Sequence, residues 1–290
     1  MDLIAVGDVM VDVHVRAPAL KRGGDVHGRV RLQPAGTSAN AAVWAAWDGA
    51  DVRVHGAVGD DLAGRLLRDA LTERGVDPAL TIEAGAPSGT MLVVVEAGER
   101  SMVADRGANA LFAPDDLPAS LDAGAVLVSG YLLLQESTTP AGLAAIDRAS
   151  ATFVGVEASS WPLVEAFGAA RFLSETTDAG ATVLLANERE AEVLVGLSGT
   201  DAARALGERY RVACVKLGEK GAAMSFDGSL VEVVAEPIVE VDATGAGDAF
   251  DGVLLGALAR GEESEAALRR ACQAGSLVAS SADTWPEVLV

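Results

Sequence analysis

Short runs of β-forming apolar residues alternate with stretches of helical apolar spacing along most of this chain. The apolar runs lie at residues 3–7, 52–58, 126–129, 153–156, 183–186 and 212–216. Helical patterns occur at residues 39–47, 62–71, 140–149 and 202–209. Continuous apolar runs are typical of parallel strands that are buried on both faces. The pattern therefore predicts an α/β fold with a doubly wound, mostly parallel sheet flanked by helices.

Two regions, 10–33 and 90–106, interrupt this alternation because neither has a helical pattern. In the second region, two apolar runs flank Ala97-Gly98-Glu99, a sequence that favours a turn. We predict a small β lid made of two insertions, at about 10–35 and 88–106, on a single domain that spans residues 1–290. Near the end, residues 245–260 predict a strongly amphipathic helix and residues 266–280 predict another.

Acidic residues outnumber basic ones by 42 to 22 among the 290 residues, and the formal net charge is −20. This charge repels a nucleic-acid backbone, so we do not expect a nucleic-acid polymer as a partner. It also opposes the binding of a small polyanion. A site for such a ligand would need backbone N–H groups, a helix end and a bound metal ion close by.

The chain has no apolar run near the roughly 20 residues that cross a bilayer, and no signal-peptide pattern at its start. We therefore expect a cytoplasmic protein without a membrane partner. Its two cysteines, Cys214 and Cys272, lack CxxC spacing, which favours reduced, buried thiols over disulfides or a metal site. The histidines His14, His27 and His55 lack metal-ligand spacing too, and we expect none of them to be a ligand.

The most informative segment is the turn Gly245-Ala246-Gly247, which leads directly into a predicted helix. Small side chains let backbone N–H groups converge on an oxyanion, and the helix N-terminus adds partial positive charge. Asp248 follows in the first turn, where a carboxylate is also an ordinary helix-capping residue. Beside an anion site, however, a carboxylate can accept the proton of a hydroxyl that attacks phosphorus. The segment predicts an anion site with Asp248 as general base, and capping is the alternative.

Two better-known glycine-rich motifs do not explain this segment. A dinucleotide fingerprint, GxGxxG, needs glycine where Phe250 stands, and it normally follows the first strand of the chain. A GxxxxGK[ST] sequence does not occur anywhere in the chain. A phosphate-binding loop of that class, with its lysine, is therefore excluded.

The segment resembles the closing motif, commonly D-T-T-G-A-G-D, of the ribokinase family of carbohydrate kinases, also called the PfkB family. Here the motif is Asp242-Ala243-Thr244-Gly245-Ala246-Gly247-Asp248. The family's N-terminal Gly-Gly turn, followed by an asparagine and a helix of small residues, is similar to Ala35-Gly36-Thr37-Ser38-Ala39-Asn40. Further ordered matches at 56–64, 105–109, 187–190 and 216–221 extend the resemblance over nearly the whole chain.

The chain departs from the family pattern at three positions. Ala243 replaces a usual threonine, and Ala35 replaces the first glycine of the N-terminal turn. The second change is expected to tighten the sugar site without removing a catalytic group. Glu157 stands where many relatives have an aspartate, and its effect does not follow from the sequence.

The resemblance implies that Asp248 is the catalytic base. It implies that Gly245, Ala246 and Gly247 form an anion hole whose fixed dipoles stabilise charge on the transferred phosphoryl group. It also implies that Asn187 and Glu190 organise Mg²⁺ and phosphate, with the ion bound through water. An Asn followed by a Glu three residues later is equally a capping box, and the spacing alone favours neither interpretation.

The resemblance places six residues around the acceptor: Asp12, Gly36, Thr37, Asn40, Arg106 and Tyr131. A carboxylate and an amide can bind vicinal hydroxyls as acceptor and donor, although Asp12 would also suit a solvated turn. Arg106, on the second insertion, is expected to add positive charge over the site when the lid closes. The alternative is that it holds a loop.

The resemblance also assigns the nucleotide and cation sites. It places ATP against Asn187, Lys216, Gly218, Gly221 and Gln273, the last near the adenine. In many relatives, the loop that matches Asp242 and Thr244 holds a monovalent cation. We therefore expect ATP and Mg²⁺ as cofactors, with K⁺ as an additional possibility.

The leading hypothesis is ATP-dependent phosphorylation of a primary hydroxyl of a monosaccharide or related polyol. A nucleoside kinase of the same family is an alternative, and an aromatic stacking partner would favour it. The two lid regions contain no aromatic residue, which leaves Trp44 and Tyr131 as candidates. A non-catalytic sugar or nucleotide sensor and a dehydrogenase are further alternatives. Exposed strand edges on the lid predict a homodimer.

Overall fold

The computed structural model describes residues 1–17, 20, 22–96 and 99–287. In chain order its strands are β1 Leu3–Val6, β2 Met10–Ala17, β3 Arg29–Ala35, β4 Val52–Gly59, β5 Val76–Glu83, β6 Gly89–Glu96, β7 Glu99–Asp105, β8 Leu121–Asp122, β9 Ala125–Val128, β10 Ala149–Ser150, β11 Phe153–Glu157, β12 Val183–Asn187, β13 Val212–Lys216, β14 Ala222–Phe226 and β15 Ser229–Val233. Its helices are α1 Thr37–Trp47, α2 Leu62–Glu73, α3 Gly130–Leu133, α4 Thr139–Asp147, α5 Trp161–Phe167, α6 Ala169–Ala179, α7 Glu188–Val195, α8 Gly199–Gly207, α9 Ala246–Ala259 and α10 Ser264–Ala279.

The main sheet has the order β15-β14-β13-β12-β11-β9-β1-β4-β5. Every neighbouring pair from β13 to β5 is parallel, while β14 and β15 add an antiparallel end. The six strands predicted from apolar runs are all present, to within one residue at each end. The prediction of a doubly wound, mostly parallel sheet is confirmed.

Helices cover both faces of this sheet, as the continuous apolar strands require. In β1, Leu3 and Ala5 join the core cluster that contains residues of α1, α2, α9 and α10. Ile4 and Val6, on the opposite face, join the cluster that contains residues of α4, α6, α7 and α8. Because each strand is buried on both sides, its sequence shows an unbroken apolar run instead of alternation. Cys214 and Cys272 are buried and free, as expected.

Helix α9 differs from its prediction. We predicted a strongly amphipathic helix, but every residue from 249 to 258 is buried. The cause is a close crossing with α1: a Cβ on Gly252 would lie 2.0 Å from the carbonyl oxygen of Ala41. The facing part of α1 consists largely of alanines, which permit this approach. Helix α9 is therefore a central helix, covered by α1 on one side and α10 on another.

The two regions without helical pattern form one separate four-stranded sheet, in the order β3-β2-β6-β7. Strands β2 and β6, from different insertions, pair in parallel, whereas each hairpin is antiparallel. Of the predicted turn Ala97-Gly98-Glu99, the first two residues lie outside the described residues. Hereafter this unit is called the small sheet.

Several elements were not predicted, among them α5, α6, α7, β5, β14 and β15. Their sequence patterns are weak: Trp161–Phe167, for example, is only seven residues long and has a proline in its first turn. Within the described part of the chain, none of the helices combines the length and apolarity needed to cross a membrane.

The α1–α9 crossing makes a testable prediction. Gly252→Ala should lower the free energy of unfolding by about 1–3 kcal/mol, because the new methyl group would collide with the backbone of α1. The comparison is Gly256→Ala on the same helix, where the nearest atom to a Cβ would be the Ala50 methyl carbon at 3.3 Å instead of a backbone oxygen at 2.0 Å, so its loss should be clearly smaller. Chemical denaturation of both variants measures the difference. Equal changes in stability would show that the crossing does not limit side-chain size.

Candidate functional site

Polar side chains gather at the carboxyl-terminal edge of the main sheet. Glu157, Asn187 and Lys216 are the last residues of β11, β12 and β13, and Asp8 follows β1 by two positions. Because these strands are parallel, their carboxyl ends meet at one edge, where open α/β sheets bind ligands. The strand order thus assembles a polar site from four separate parts of the sequence.

Helix α9 begins at this edge, after the glycine-rich turn. Gly245 has φ 80°, and a side chain on it would meet the Thr284 methyl group at 2.3 Å, so two constraints favour glycine there. The N–H of Ala246 donates to the Ala243 carbonyl at 3.2 Å. This amide is therefore used inside the turn, which corrects the prediction that all three residues offer their N–H groups. The first-turn N–H groups of Gly247 and Asp248 lack an intrahelical acceptor in this geometry.

Asp248 is held at the start of α9 by Asn40 from α1. The Asn40 Nδ2 group donates to Asp248 Oδ2 at 2.7 Å. Burial raises the pKa of Asp248 to about 6, although the Asn40 hydrogen bond and the Lys216 charge lower it, and Asp12 and Glu190 raise it further. A carboxylate with this pKa is still mostly ionised near neutral pH. It is also a stronger base than an exposed aspartate.

Lys216 is the cation of the site. Its Nζ donates to Asp251 Oδ2 at 2.6 Å and lies 3.9 Å from Glu157 Oε1. The same nitrogen would be 3.3 Å from a Cβ on Gly247, so its charge lies next to the first turn of α9. Burial alone would lower its pKa, but Asp251, Glu157 and Glu190 together raise it. Lys216 therefore stays protonated and places a fixed positive charge beside the first turn of α9.

Asp251 and Glu157 share the charge of this one lysine. Asp251 is fully buried, and burial raises its pKa to about 7 despite the contact with Lys216. Burial raises the pKa of Glu157 well above its usual range, and Asp248 and Asp251 add to the effect. The positive charge of Lys216 thus balances the negative charges of these carboxylates jointly, because among the described residues no carboxylate of the cluster has a cation of its own.

Asn187 and Glu190 form the capping box that their spacing allowed. The Asn187 side chain accepts from the Glu190 N–H at 2.9 Å, and Glu190 Oε2 accepts from the Asn187 N–H at 2.8 Å. Glu190 Oε1 also accepts from Asn187 Nδ2 at 2.7 Å. Burial raises the pKa of this carboxyl group. Its oxygens are already engaged, so a cation would fit here more easily through water than by direct ligation.

Within the described parts of the chain, His, Cys, Asp and Glu side chains form no group of three or more that could enclose a metal ion. Mg²⁺ keeps several of its waters and needs only one or two carboxylates. Glu190, buried and coupled electrostatically to Lys216 and Asp248, has the chemistry for such an outer contact.

The small sheet brings Asp12 to the site. Asp12 is buried, and its charge raises the pKa of Asp248. His14, two residues further along β2, has its Nε2 atom 3.7 Å from Asp12 Oδ2 and without a hydrogen-bond partner in the described structure. We expected no ligand role for this histidine, yet the structure places it beside a predicted acceptor residue.

Arg106 is engaged in a buried ion pair. Its Nε and Nη2 atoms donate to the two carboxylate oxygens of Asp8, at 3.0 and 2.7 Å. This bidentate pair joins the end of the small sheet to the end of β1. The geometry favours the loop-holding interpretation, and a contact of Arg106 with the acceptor stays a prediction.

Gly36, Thr37 and Tyr131 lie around the same edge. Gly36 has φ 105°, and a Cβ there would be 2.3 Å from the Asp8 carbonyl oxygen, so only glycine fits before α1. Thr37 is the first residue of α1. Burial raises the pKa of Tyr131, with added effects of Glu157 and Asp248, so its hydroxyl group stays protonated and can donate.

Three of the five predicted nucleotide residues, Gly218, Gly221 and Gln273, lie outside the carboxylate cluster. Gln273 lines a cavity of about 330 Å³ between α10 and the segment 233–238. Gly218 and Gly221, both at positive φ, form the turn after β13, where the Gly221 N–H donates to the Gly218 carbonyl. Lys216 was expected with them, but its side chain lies in the carboxylate cluster.

Asp242 and Thr244 close the loop before α9. Asp242 Oδ1 accepts from both the N–H and the hydroxyl group of Thr244, at 3.0 and 2.6 Å. Trp44, a candidate stacking partner, is buried in α1 and donates its indole N–H to the Thr284 carbonyl. It is therefore corrected from a candidate ligand contact to a core residue.

Three important residues escaped the sequence analysis: Asp8, Asp251 and Trp285. The position of Asp251, three residues after Asp248, could have indicated that both lie on one side of a helix. Asp8 directly follows a strand, which is a weaker sign. Trp285 contacts Asn40 across 245 positions of sequence, and no local pattern indicates that.

The chain matches the family model described as pfkB family carbohydrate kinase over residues 1–286. It is 30% identical over 285 residues to the ribokinase of Bacillus subtilis (strain 168), which covers 95% of this chain and 92% of that protein. It is 32% identical over 250 residues to the fructokinase of Klebsiella pneumoniae, covering 81% and 80%. The structure of adenosine kinase from Sinorhizobium meliloti is similar with a TM-score of 0.88 at 24% identity, covering 100% and 96% of the two chains. This last similarity shows the fold alone.

The carboxylate cluster predicts a pH-dependent effect of Lys216→Met. At about pH 8 the variant should lose about 3 kcal/mol of stability, because buried carboxylates would lose their cation. Without the ammonium group, the pKa values of Asp251 and Glu157 rise further in the folded state, so folding takes up protons. Stability should therefore recover as the pH falls to about 5.

Denaturation at both pH values measures this effect. The control is the double variant Lys216→Met/Asp251→Asn, which removes one buried charge with its partner and should regain part of the loss. An equal loss of stability at both pH values would contradict the shared-charge interpretation.

Proposed function

Because the chain belongs to the pfkB family of carbohydrate kinases, we propose that it transfers the γ-phosphoryl group of ATP to a primary hydroxyl of a monosaccharide or a small polyol. One observation carries the proposal: a partly buried carboxylate, Asp248, lies in the first turn of α9 with the Lys216 ammonium group beside that turn. A proton acceptor and an anion site thus lie next to each other.

Asp248 is the general base in this proposal. Its buried environment raises its pKa to about 6, which makes proton transfer from an alcohol less unfavourable than transfer to an ordinary aspartate. The Asn40 hydrogen bond occupies one carboxylate oxygen, Oδ2. The other oxygen is left to accept the proton as the acceptor oxygen bonds to phosphorus.

Charge on the migrating phosphoryl group is stabilised by fixed donors. The first-turn N–H groups of Gly247 and Asp248 and the partial positive charge of the α9 N-terminus act in a site of low polarity. Lys216 adds a full charge near the same point. Bound magnesium would neutralise further phosphate charge, and Asn187 with Glu190 would hold it through water.

The acceptor binds between the small sheet and α1 in this proposal. Asp12 accepts hydrogen bonds from hydroxyl groups, and the second N–H of Asn40 Nδ2 donates to one. Gly36 and Thr37 let the backbone approach, while Tyr131 donates from its protonated hydroxyl. The small sheet serves as the lid and excludes water, which would otherwise hydrolyse ATP.

The adenine of ATP enters the cavity beside Gln273 in this proposal. Its volume of about 330 Å³ is in the range of small-molecule sites, and Val233, Ile238 and Leu277 supply apolar lining. The turn of Gly218 and Gly221 leads from the end of β13 toward this side. Potassium activation stays a prediction, because the Asp242 loop is already bridged by Thr244.

A free sugar or polyol is favoured over a nucleoside. Trp44 is buried, so Tyr131 alone remains of the two candidate stacking residues. Strands β2, β3, β6 and β7 carry no aromatic residue that could hold a base. A non-catalytic sensor is disfavoured, because the chain keeps both the Asp248 carboxylate and the glycine-rich turn before it.

A second copy of this chain would cover the small sheet. Leu32, Val13, Leu92 and Val103 form one transverse row across its four strands. Leu32 and Val103 are 63% and 66% exposed. We include a homodimer in the proposal, with this face as its interface.

Asp248→Asn tests the assigned base. Acceptor-dependent ADP release is first measured on a panel of sugars, polyols and nucleosides to find the best acceptor. With that acceptor, the variant should be slower by about 10²–10⁴-fold at little change in ATP affinity. Its control is Asp201→Asn, which changes an exposed aspartate in the first turn of α8 and should leave the rate unaltered. Near-normal turnover of Asp248→Asn would contradict the assignment of Asp248 as the general base.

The double variant Leu32→Glu/Val103→Glu tests the dimer. Sedimentation velocity should show a dimer for the wild type and a monomer for the variant, since two charges would enter an apolar interface. Val239→Glu is the control, because this residue is 84% exposed outside the small sheet and its variant should stay dimeric. A monomeric wild type would contradict the homodimer.

A further inference from the structure

The segment 281–287, hereafter the strap, follows α10 and crosses the candidate site. Asp283 Oδ1 accepts from Gln33 Nε2 at 2.7 Å, on β3 of the small sheet. The Thr284 carbonyl accepts from the Trp44 indole at 2.8 Å, and the Thr284 methyl group covers Gly245. These contacts fix the strap against the small sheet, α1 and the turn before α9.

Trp285, the next residue of the strap, reaches Asn40. Its indole Nε1 donates to Asn40 Oδ1 at 2.7 Å, and the contact is buried. An indole N–H can only donate, so it requires the oxygen end of the amide to face it. The nitrogen end must then face away, toward Asp248, where Nδ2 donates at 2.7 Å. The direction of the amide is therefore set by a residue that does not touch the carboxylate.

We propose that Trp285 is the positioning residue of the catalytic base, acting through the orientation of the Asn40 amide. This inference rests on the proposed function, since it takes Asp248 as the base. Trp285 touches neither Asp248 nor the reacting atoms in this account. Trp285 keeps the Asn40 Nδ2 group hydrogen-bonded to Asp248 Oδ2. The Asp248 carboxylate is thereby held with Oδ1 available to accept the proton.

The arrangement leaves Asn40 able to bind the acceptor. Its Nδ2 group has a second N–H, and its Oδ1 has a second lone pair. Without the indole N–H, the amide could rotate and turn its oxygen toward the carboxylate. The ionised form of Asp248 would then lose a donor and face a partial negative charge, and its pKa would rise.

Several charged and titratable groups either shift the pKa of Asp248 or have their own pKa shifted by its charge. They are Asp12 of β2, Glu157 of β11, Glu190 of α7, Lys216 of β13, Asp251 of α9 and Tyr131 of α3. Among the residues that the structure describes, it shows no hydrogen bond or ion pair between Trp285 and any of these groups; the charged group over its ring is Arg74, and phenylalanine keeps a ring there. A shift in the Asp248 ionisation would therefore report the Asn40 contact.

Trp285→Phe removes the N–H but keeps an aromatic ring in the buried position. The variant should lower kcat roughly tenfold, because the hydrogen bond from Asn40 to the charged Asp248 carboxylate would weaken once the indole N–H no longer holds the amide. The acid limb of its kcat/KM profile should move to higher pH, because Asp248 must be ionised to act and its pKa rises.

Trp44→Phe is the matched control. It removes a second buried indole N–H that binds the same strap but does not reach Asn40. It should lower thermal stability without moving the acid limb. An unmoved limb in Trp285→Phe, or an equal shift in both variants, would overturn the proposal.

A second measurement needs neither turnover nor the Trp285 variant. The chain has four tryptophans, so Trp44→Phe, Trp47→Phe and Trp161→Phe assign the Trp285 indole ¹H–¹⁵N signal by elimination. In the wild type, this signal should titrate with a midpoint near the Asp248 pKa of about 6, and in Asp248→Asn it should not.

A Trp285 signal that does not change with pH in the wild type would contradict the coupling of Trp285 to Asp248 through Asn40, even if the enzyme is active. If the signal titrates but the protein has no kinase activity, the contact from Trp285 through Asn40 to Asp248 is supported and the proposed function is contradicted. The two failures are therefore distinguishable.

Discussion

The site depends on the close crossing of α1 and α9. Gly252 and the alanines of α1 bring the two backbones together, and no larger side chain fits where the Gly252 hydrogen meets the Ala41 carbonyl. This approach sets the distance from Asn40 on one helix to Asp248 on the other. Had α1 lain a methyl group further away, the 2.7 Å hydrogen bond between them could not form. Packing in the core thus determines the chemistry at the sheet edge.

The second constraint is electrostatic. A chain with a net charge of −20 gathers four acidic side chains around one lysine: Asp251, Glu157 and Glu190, which are buried, and Asp248, which is partly buried. Burial raises the pKa of each of them, and Lys216 opposes that rise without cancelling it. In the proposed function, this cluster raises the basicity of Asp248, and main-chain N–H groups at the start of α9 supply the positive potential that a phosphate needs. The proposed phosphate site thus depends on local hydrogen-bond donors, because the net charge of the whole protein opposes a polyanion.

The sequence was informative where the signal is local. Apolar runs located the buried parallel strands, and the glycine-rich turn located Asp248, because both patterns occupy adjacent residues. Contacts between distant residues were not accessible: Arg106 meets Asp8 across 98 positions, and Trp285 meets Asn40 across 245. Helix α9 shows a different limit. Its sequence suggested one apolar stripe, but small residues such as Gly252 let neighbours bury the rest, which only the packing reveals.

The central claim is that one carboxylate at the start of α9 faces the attacking hydroxyl beside an anion site. The most direct measurement is a crystal structure with a non-hydrolysable ATP analogue and the best acceptor. It should place the acceptor oxygen about 3 Å from Asp248 and the γ-phosphate against the N–H groups of Gly247 and Asp248. An acceptor bound away from Asp248, or a γ-phosphate distant from the first turn of α9, would contradict the account.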